Sequence, residues 1–321
     1  MISIVVIGAR GYTGAELLPL LWEHPEFELV AVGSGSVAGQ PVNAHVDGMG
    51  GCEMLFSEIR PVTLEHFPAD ACVLALPNGF ASGFVTALNN CKPDTVVVDL
   101  SADYRFDPSW AYGQPERFSD LLSGATRIAN PGCYATGAQL ALAPILDQLA
   151  GVPAVFGVSG FSGAGKTPSI KNDPKVLEDN LLPYALTDHV HEQEIAHHIG
   201  RGLRFLPHVA PFFRGISLTI ATELEHAKTE DELLRLYREF YGGSPLVDVR
   251  AEIPEVAEVR GSHNLILGGF SVSEVNPRRI ALVCVLDNLL KGAASQAVQN
   301  LNLAFGLDAM TGLGNRRGNR S

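Results

Sequence analysis

Ile2-Ser3-Ile4-Val5-Val6-Ile7-Gly8-Ala9-Arg10-Gly11-Tyr12-Thr13-Gly14 stands directly after the first methionine, and this stretch decides the fold. Residues 2–7 are almost wholly apolar and largely β-branched, which predicts a buried strand. Gly8, Gly11 and Gly14 then recur as G-x-x-G-x-x-G. Residues 16–23 follow as a helix, with Pro19 compatible only near its first turn. A strand, a glycine turn and a helix N-terminus make a seat for a pyrophosphate, because the backbone approaches closely and the helix start presents N–H donors. Gly8, Arg10, Gly11, Tyr12, Thr13 and Gly14 are therefore the expected cofactor turn. The next predicted strand, residues 27–32, runs into Gly33-Ser34-Gly35-Ser36 without the Asp or Glu that binds a ribose 2′-hydroxyl. Ser34 and Ser36 leave room for a 2′-phosphate within reach of Arg10, so the expected cofactor is NADP(H). Further strands at 72–76, ending at Pro77-Asn78-Gly79, and at 95–99 alternate with helical segments. The expected fold class is α/β, a Rossmann-type doubly wound parallel sheet over residues 1–132.

The pattern changes after the turn Asn130-Pro131-Gly132. A mostly helical stretch to about residue 149 precedes strands near 155–158, 215–223 and 280–286, with an amphipathic helix at 230–241. This predicts an α+β catalytic domain over 133–287 with a mixed or antiparallel sheet. Asp287 is a candidate N-cap for a final helix, 289–304, and residues 288–307 are expected to complete the first domain. Residues 308–321, rich in Gly, Asn and Arg at their end, are expected to be a flexible tail.

Net charge is −12, which leaves no basic field for nucleic acid. No apolar run is long enough to span a bilayer, and the N-terminus lacks a basic leader. Five cysteines without a C-x-x-C pair argue against a disulfide framework or a zinc ribbon and for a reducing, cytoplasmic setting.

Cys133 follows a turn and opens a predicted helix, where a thiolate is stabilised; the other four cysteines read as structural thiols. Residues 189–198, His-Val-His-Glu-Gln-Glu-Ile-Ala-His-His, place His191, Glu194 and His198 on one helical face. Ile195 breaks the H-E-x-x-H pattern of a zinc protease, and no metal site is expected. A general acid/base with an orienting carboxylate fits better. Gly160-Phe161-Ser162-Gly163-Ala164-Gly165-Lys166-Thr167 matches the phosphate loop G-x-x-x-x-G-K-T of nucleotidases. Pro168 and Pro174 discourage the helix that such a loop requires, so a glycine-rich loop whose Lys166 meets an anion is the preferred reading.

Taken in order, Gly-Tyr-Thr-Gly-Ala-Glu-Leu at 11–17, Asp-Leu-Ser-Ala-Asp-Tyr-Arg at 99–105, Asn-Pro-Gly-Cys-Tyr at 130–134, Ser-Gly-Ala-Gly-Lys at 162–166, His-x-His-x-x-Glu-Ile at 189–195, Arg-Gly-Ile at 214–216 and Asp-Asn-Leu-Leu-Lys-Gly-Ala at 287–293 resemble the N-acetyl-γ-glutamyl-phosphate reductases. These are arginine-pathway relatives of aspartate-semialdehyde dehydrogenase. The resemblance implies NADPH-dependent reduction of an acyl phosphate to a semialdehyde through a thioester on Cys133, by a homodimer or homotetramer. It implies His189 or His191, with Glu194, as acid/base machinery. Arg105, Lys166 and Arg214 are the cations expected around substrate, and Pro77 and Asn288 join the cofactor contacts. Ala135 stands where the family usually has Pro. Val190 replaces a basic residue between the histidines, and Asn78 follows Pro77 where His is common.

Overall fold

The computed structural model describes residues 1–314. Contacts divide them into two units, Met1–Gly132 with Ala293–Gly314, and Cys133–Gly292. The turn residues 288–292 thus group with the second unit, and the expected helix 289–304 is divided at this boundary.

In the first unit β1 (Ile2–Ile7), α1 (Tyr12–Trp22), β2 (Phe27–Gly33), β3 (Ala71–Leu74), α2 (Ala81–Cys91), β4 (Val96–Asp99), β5 (Ala111–Tyr112), α3 (Pro115–Leu122) and β6 (Arg127–Ala129) follow one another. The sheet is parallel throughout, in the order β2-β1-β3-β4-β6-β5. The chain moves outward from β1 to β2 and then crosses to β3 on the other side. That reversal leaves a crevice beyond the carboxyl ends of β1 and β3, the place where such sheets bind ligands. β1, β3 and β4 are buried almost end to end, as continuous apolar runs in a two-sided sheet must be. Helix α1 starts at Tyr12, inside the glycine turn, which puts Pro19 in its interior. That is a correction: Pro19 has no N–H to give the carbonyl of Ala15, and the helix continues because its apolar face is buried at Leu17, Leu18, Leu20 and Leu21.

The C-terminal helix Ser295–Ala304 belongs to this unit and packs on α1 and α3. Residues 308–314, expected as part of a flexible tail, are instead folded. Asn302 Nδ2 donates to the carbonyls of Ala309 and Thr311. Nε2 of buried His24 donates to the Thr311 carbonyl at 3.0 Å, and its Nδ1 accepts from the Glu26 N–H at 3.2 Å. The rest of the expected tail, 315–321, lies outside the described residues.

The second unit holds α4 (Cys133–Leu142), β7 (Ala154–Gly160), α5 (Pro174–Leu177), β8 (Leu182–Pro183), α6 (Val190–Ile199), β9 (Arg204–Ala210), β10 (Ile216–Glu223), α7 (Glu230–Phe240), β11 (Val247–Val249), α8 (Val256–Val259), β12 (Leu265–Val272) and β13 (Arg279–Leu286). Its seven-stranded sheet runs β11-β12-β13-β10-β7-β9-β8 and mixes parallel and antiparallel pairs. Residues Tyr134 to Leu142 of α4 are all buried, and the helix crosses β10 and β13 beside α6. Helix α7 starts with a Thr229–Glu232 capping box, worth about 1 kcal/mol. Its buried Tyr237 donates to the Ala141 carbonyl at 2.6 Å, tying it to the end of α4.

Candidate active site

The glycine turn is shaped for close approach. Gly8 has φ +86°, and a Cβ there would stand 2.3 Å from the Ala75 carbonyl oxygen, at the end of β3. Only glycine lets β1 turn there. Gly11 caps α1 without a side-chain bond, and no acidic residue stands in the first helical turn, as an incoming anion requires. Thr13 and Gly14 belong to that first turn. At the end of β2, Arg10 Nη1 lies 3.4 Å from Ser36 Oγ, which lies 3.4 Å from Ser34 Oγ. A guanidinium and two hydroxyls thus gather where a 2′-phosphate would sit. The turn and this cluster together fit an NADP-type dinucleotide. Pro77 follows β3, and its turn is set by Asp103, which accepts from the Gly79 and Ala81 N–H groups at 2.7 and 3.2 Å; Asn78 accepts from the Ala102 N–H.

Arg105 is buried at 7% exposure. Its Nε donates to the Asn130 carbonyl at 3.0 Å and its Nη2 to the Leu100 carbonyl at 2.9 Å. These donors fix the chain after β4 and β6.

In the second unit Cys133 opens α4, half-buried, whereas Cys52, Cys72 and Cys284 are buried and Cys91 is exposed. Burial pushes the Cys72 thiol up to about 12 and raises that of Cys284, which makes both poor nucleophiles. The Tyr134 and Tyr184 phenols are raised first by burial, and a negative charge on Cys133 adds to the rise in both. The thiol therefore lies within electrostatic reach of both rings. Tyr134 donates to the His208 carbonyl at 2.8 Å and meets the His191 ring edge-on at 5.8 Å.

His189 is the N-cap of α6. Its Nδ1 accepts from the His191 N–H at 3.0 Å, so in the neutral ring the proton sits on Nε2. Burial, and then the Lys171 charge, lower His189 from 6.5 to about 4. Lys171 reaches it through Tyr184: the ammonium lies 4.8 Å over the phenol ring, whose centroid is 5.4 Å from that of His189. The sequence held no signal for Lys171 or Tyr184, since this part of the chain is irregular. Glu194 is fully buried one turn further along α6.

The phosphate-loop reading of residues 160–167 fails. β7 ends at Gly160, a 3₁₀ turn covers Phe161–Ala164, and the next helix is the single turn α5. What the loop does instead is pair with the turn before β10. Phe161 N–H donates to the Phe212 carbonyl, Ser162 N–H to that of Phe213, and Gly160 N–H to that of Gly215. The Lys166 loop and Arg214 are thereby neighbours. Asn288 is buried, and its amide serves this unit: its oxygen accepts from the Gly215 N–H at 2.7 Å and its nitrogen donates to Ser162 Oγ at 2.9 Å. Among the described residues no His, Cys, Asp and Glu cluster has the makings of a metal site, and no helix is long and apolar enough to cross a membrane.

Residues 3–125 match the family "Semialdehyde dehydrogenase, NAD binding domain", and residues 133–288 match "Semialdehyde dehydrogenase, dimerisation domain". Solved structures agree with the fold: aspartate semialdehyde dehydrogenase II from Vibrio cholerae superposes with TM-score 0.76 at 18% identity, covering 95% of this chain and 98% of that one. The Candida albicans aspartate semialdehyde dehydrogenase crystallised with NADP gives 0.73 at 15% identity, covering 95% and 99%. The chain is a semialdehyde dehydrogenase in fold and family, an oxidoreductase whose first unit is its nicotinamide-dinucleotide-binding domain. Among curated relatives, the N-acetyl-gamma-glutamyl-phosphate reductase of Xanthomonas campestris pv. campestris (strain B100) is 49% identical over 312 residues, 97% of this chain and 98% of that protein. That of Stenotrophomonas maltophilia (strain R551-3) is 49% identical over 311 residues, with the same coverage. The chain belongs to the N-acetyl-γ-glutamyl-phosphate reductase family.

Proposed function

We propose that the protein reduces N-acetyl-L-glutamyl 5-phosphate to N-acetyl-L-glutamate 5-semialdehyde and phosphate with NADPH, in the cytoplasm, as a step of arginine biosynthesis. The observation that carries this reading is Cys133, the half-buried thiol at the start of a buried helix, whose next residue, Tyr134, meets the His191 ring edge-on, in a chain that matches reductases of that name along their length. The Cys133 thiolate attacks the acyl carbon, the C–O bond to phosphate breaks, and a thioester forms. NADPH, when bound, supplies hydride to the thioester carbonyl. His191 gives a proton to the carbonyl oxygen as hydride reaches the thioester carbon, and takes it back as the C–S bond breaks and the aldehyde and the Cys133 thiolate part. His189 is already the cap of α6 and is held neutral, so it supports that helix and offers an Nε2–H bond rather than an ionised acid. The main-chain N–H of Cys133, at the helix start, stabilises the developing oxyanion.

Arg10, Ser34 and Ser36 take the 2′-phosphate, and the Gly8–Gly14 turn takes the pyrophosphate. The Lys166 loop takes the substrate phosphate, and Arg214 takes its carboxylate, since a planar guanidinium matches a carboxylate. Arg105 acts through the Asn130 carbonyl, three residues before Cys133, rather than by touching substrate. Assembly as a homodimer or homotetramer is supported by one face of the seven-stranded sheet. There Phe156 is paired with Leu206 and Thr219, and Val158 with His208 and Ser217, and Phe156 is 38% exposed. Phe156→Glu separates the subunits in sedimentation; an unchanged mass removes that face from the interface.

The assay is phosphate-dependent NADP⁺ reduction by N-acetylglutamate semialdehyde, beside aspartate semialdehyde. Turnover of the first alone supports the proposal. Turnover of the second alone reassigns the substrate, and turnover of neither defeats it.

A further inference from the structure

One short segment of the second unit touches Arg214, the loop that leads to Lys166, and Cys133. Asp287 is fully buried and accepts four hydrogen bonds. Its Oδ2 takes Arg214 Nε at 2.6 Å and the Gly261 N–H at 2.7 Å. Its Oδ1 takes the Leu289 and Leu290 N–H groups at 2.9 and 3.3 Å. Asn288 bridges Gly215 and Ser162, as above. The chain then enters a π-turn, Leu290–Ala294, in which the Gly292 N–H donates to the Asp287 carbonyl at 2.9 Å. A Cβ on Gly292 would stand 2.7 Å from the Cys133 Cβ and 3.2 Å from its Cα, so this turn packs against the nucleophile with no room for a side chain. Such π-turns recur at functional sites because the widened turn places groups that a regular helix does not.

Arginine has two sides from which to bond a carboxylate. Asp287 occupies the Nε side of Arg214, whose side chain is 16% exposed, and so fixes the plane and direction of the guanidinium. A buried carboxylate held by three main-chain N–H groups does not swing with its partner; it is a fixed seat.

We propose that Asp287 is a positioning residue for the reaction: by holding Arg214 through Nε it orients the guanidinium towards the substrate carboxylate, from the same turn that packs against Cys133. This rests on the proposed role of Arg214. Asp287→Asn is the discriminating change. It keeps the oxygen facing Leu289 and Leu290, and puts an NH₂ against two donors at Oδ2.

The test compares wild type, Asp287→Asn, Arg214→Lys and the double variant in the assay above. Asp287→Asn is expected to raise the KM for semialdehyde at least about tenfold, as losing one partner of a buried ion pair does, with the KM for NADP⁺ within about twofold of wild type. The double variant is expected to be no worse than Arg214→Lys, because both remove one interaction. An unchanged semialdehyde KM in Asp287→Asn, or losses that multiply in the double variant, overturns the proposal. If the wild type turns over no semialdehyde, the functional reading fails and the substrate half of the proposal falls with it. The positioning half is then decided by the Arg214 Nε–Hε NMR signal, slow to exchange with Asp287 and lost without it; fast exchange in the wild type overturns it. Should Asp287→Asn not fold, guanidinium ion is expected to restore part of the affinity lost in Arg214→Ala, where Asp287 still offers its seat, and methylammonium is not. No rescue overturns the proposal.

Discussion

The cofactor turn of the first unit is one continuous stretch, Gly8 to Gly14, with Ser34 and Ser36 at the next strand end. The proposed site of the second unit draws Cys133, the Lys166 loop, His191, Arg214 and the 287–292 turn from five stretches. In the first, the backbone shapes the proposed pyrophosphate seat: a glycine at φ +86° beside Ala75 and a helix start without a side-chain cap. In the second, the proposed groups are side chains, which need fixed supports. Asp287 and Asn288 hold Arg214, Gly215, Gly261 and Ser162. A site made of backbone is robust to side-chain changes outside its glycines, whereas one assembled from distant side chains depends on residues that touch no substrate.

The largest expected effect that sharpens this contrast lies in the two histidines. His191→Asn should lower kcat by about 10²–10⁴-fold, the range of a lost general acid/base. His189→Asn should cost no more than about tenfold, or 1.4 kcal/mol, because Asn is itself a good N-cap and accepts from the same N–H. Single-turnover rates decide; the reverse ranking transfers the proton to His189. A smaller effect belongs to the first unit. Arg10→Ala should raise the KM for NADP⁺ about tenfold, the low end of about 1.5–3 kcal/mol for a charge-assisted bond, since Arg10 is exposed. The KM for NAD⁺ should stay unchanged; equal losses for both would move Arg10 away from the 2′-phosphate.

The smallest effect is on stability against pH. His189 titrates at about 4 in the folded chain, below its ordinary 6.5, for burial first and then Lys171. The folded state thus favours the neutral ring. Its contribution is complete above the unfolded value and is lost as pH falls from 6.5 towards 4. Buried His24, also lowered by burial, adds a loss of the same sign. Urea midpoints should fall over this window, and less so in His189→Asn; a midpoint flat down to pH 4 contradicts the geometry of the cap.

What the sequence revealed follows the same division. Residues 2–14 carry strand, glycine turn and helix start within themselves, so this part of the parallel sheet is legible there, as is the helix start at Cys133 behind Asn130-Pro131-Gly132. Local reasoning placed Pro19 near a helix start, because it could not foresee that burial of Leu17, Leu18, Leu20 and Leu21 would carry the helix past a missing N–H. It expected Arg105 near the substrate, and nothing local shows that its Nε and Nη2 also bond the carbonyls of Asn130 and Leu100. It saw Asp287 as a helix cap, which the Leu289 and Leu290 bonds match, but not its bond to Arg214, 73 residues away in the chain. The Gly-Lys-Thr string at 165–167 imitates a phosphate loop because short glycine patterns are common; the absent helix separates the two.

The central claim is the covalent one, and intact mass spectrometry tests it most directly. The protein is incubated with N-acetylglutamate semialdehyde and NADP⁺ while phosphate is withheld, so that acyl transfer to phosphate cannot clear the thioester. One N-acetylglutamyl group should appear on Cys133, with one equivalent of NADPH formed, and neither should appear in Cys133→Ser. Formation of NADPH without an adduct, or an adduct on exposed Cys91 instead, would contradict the thioester on Cys133.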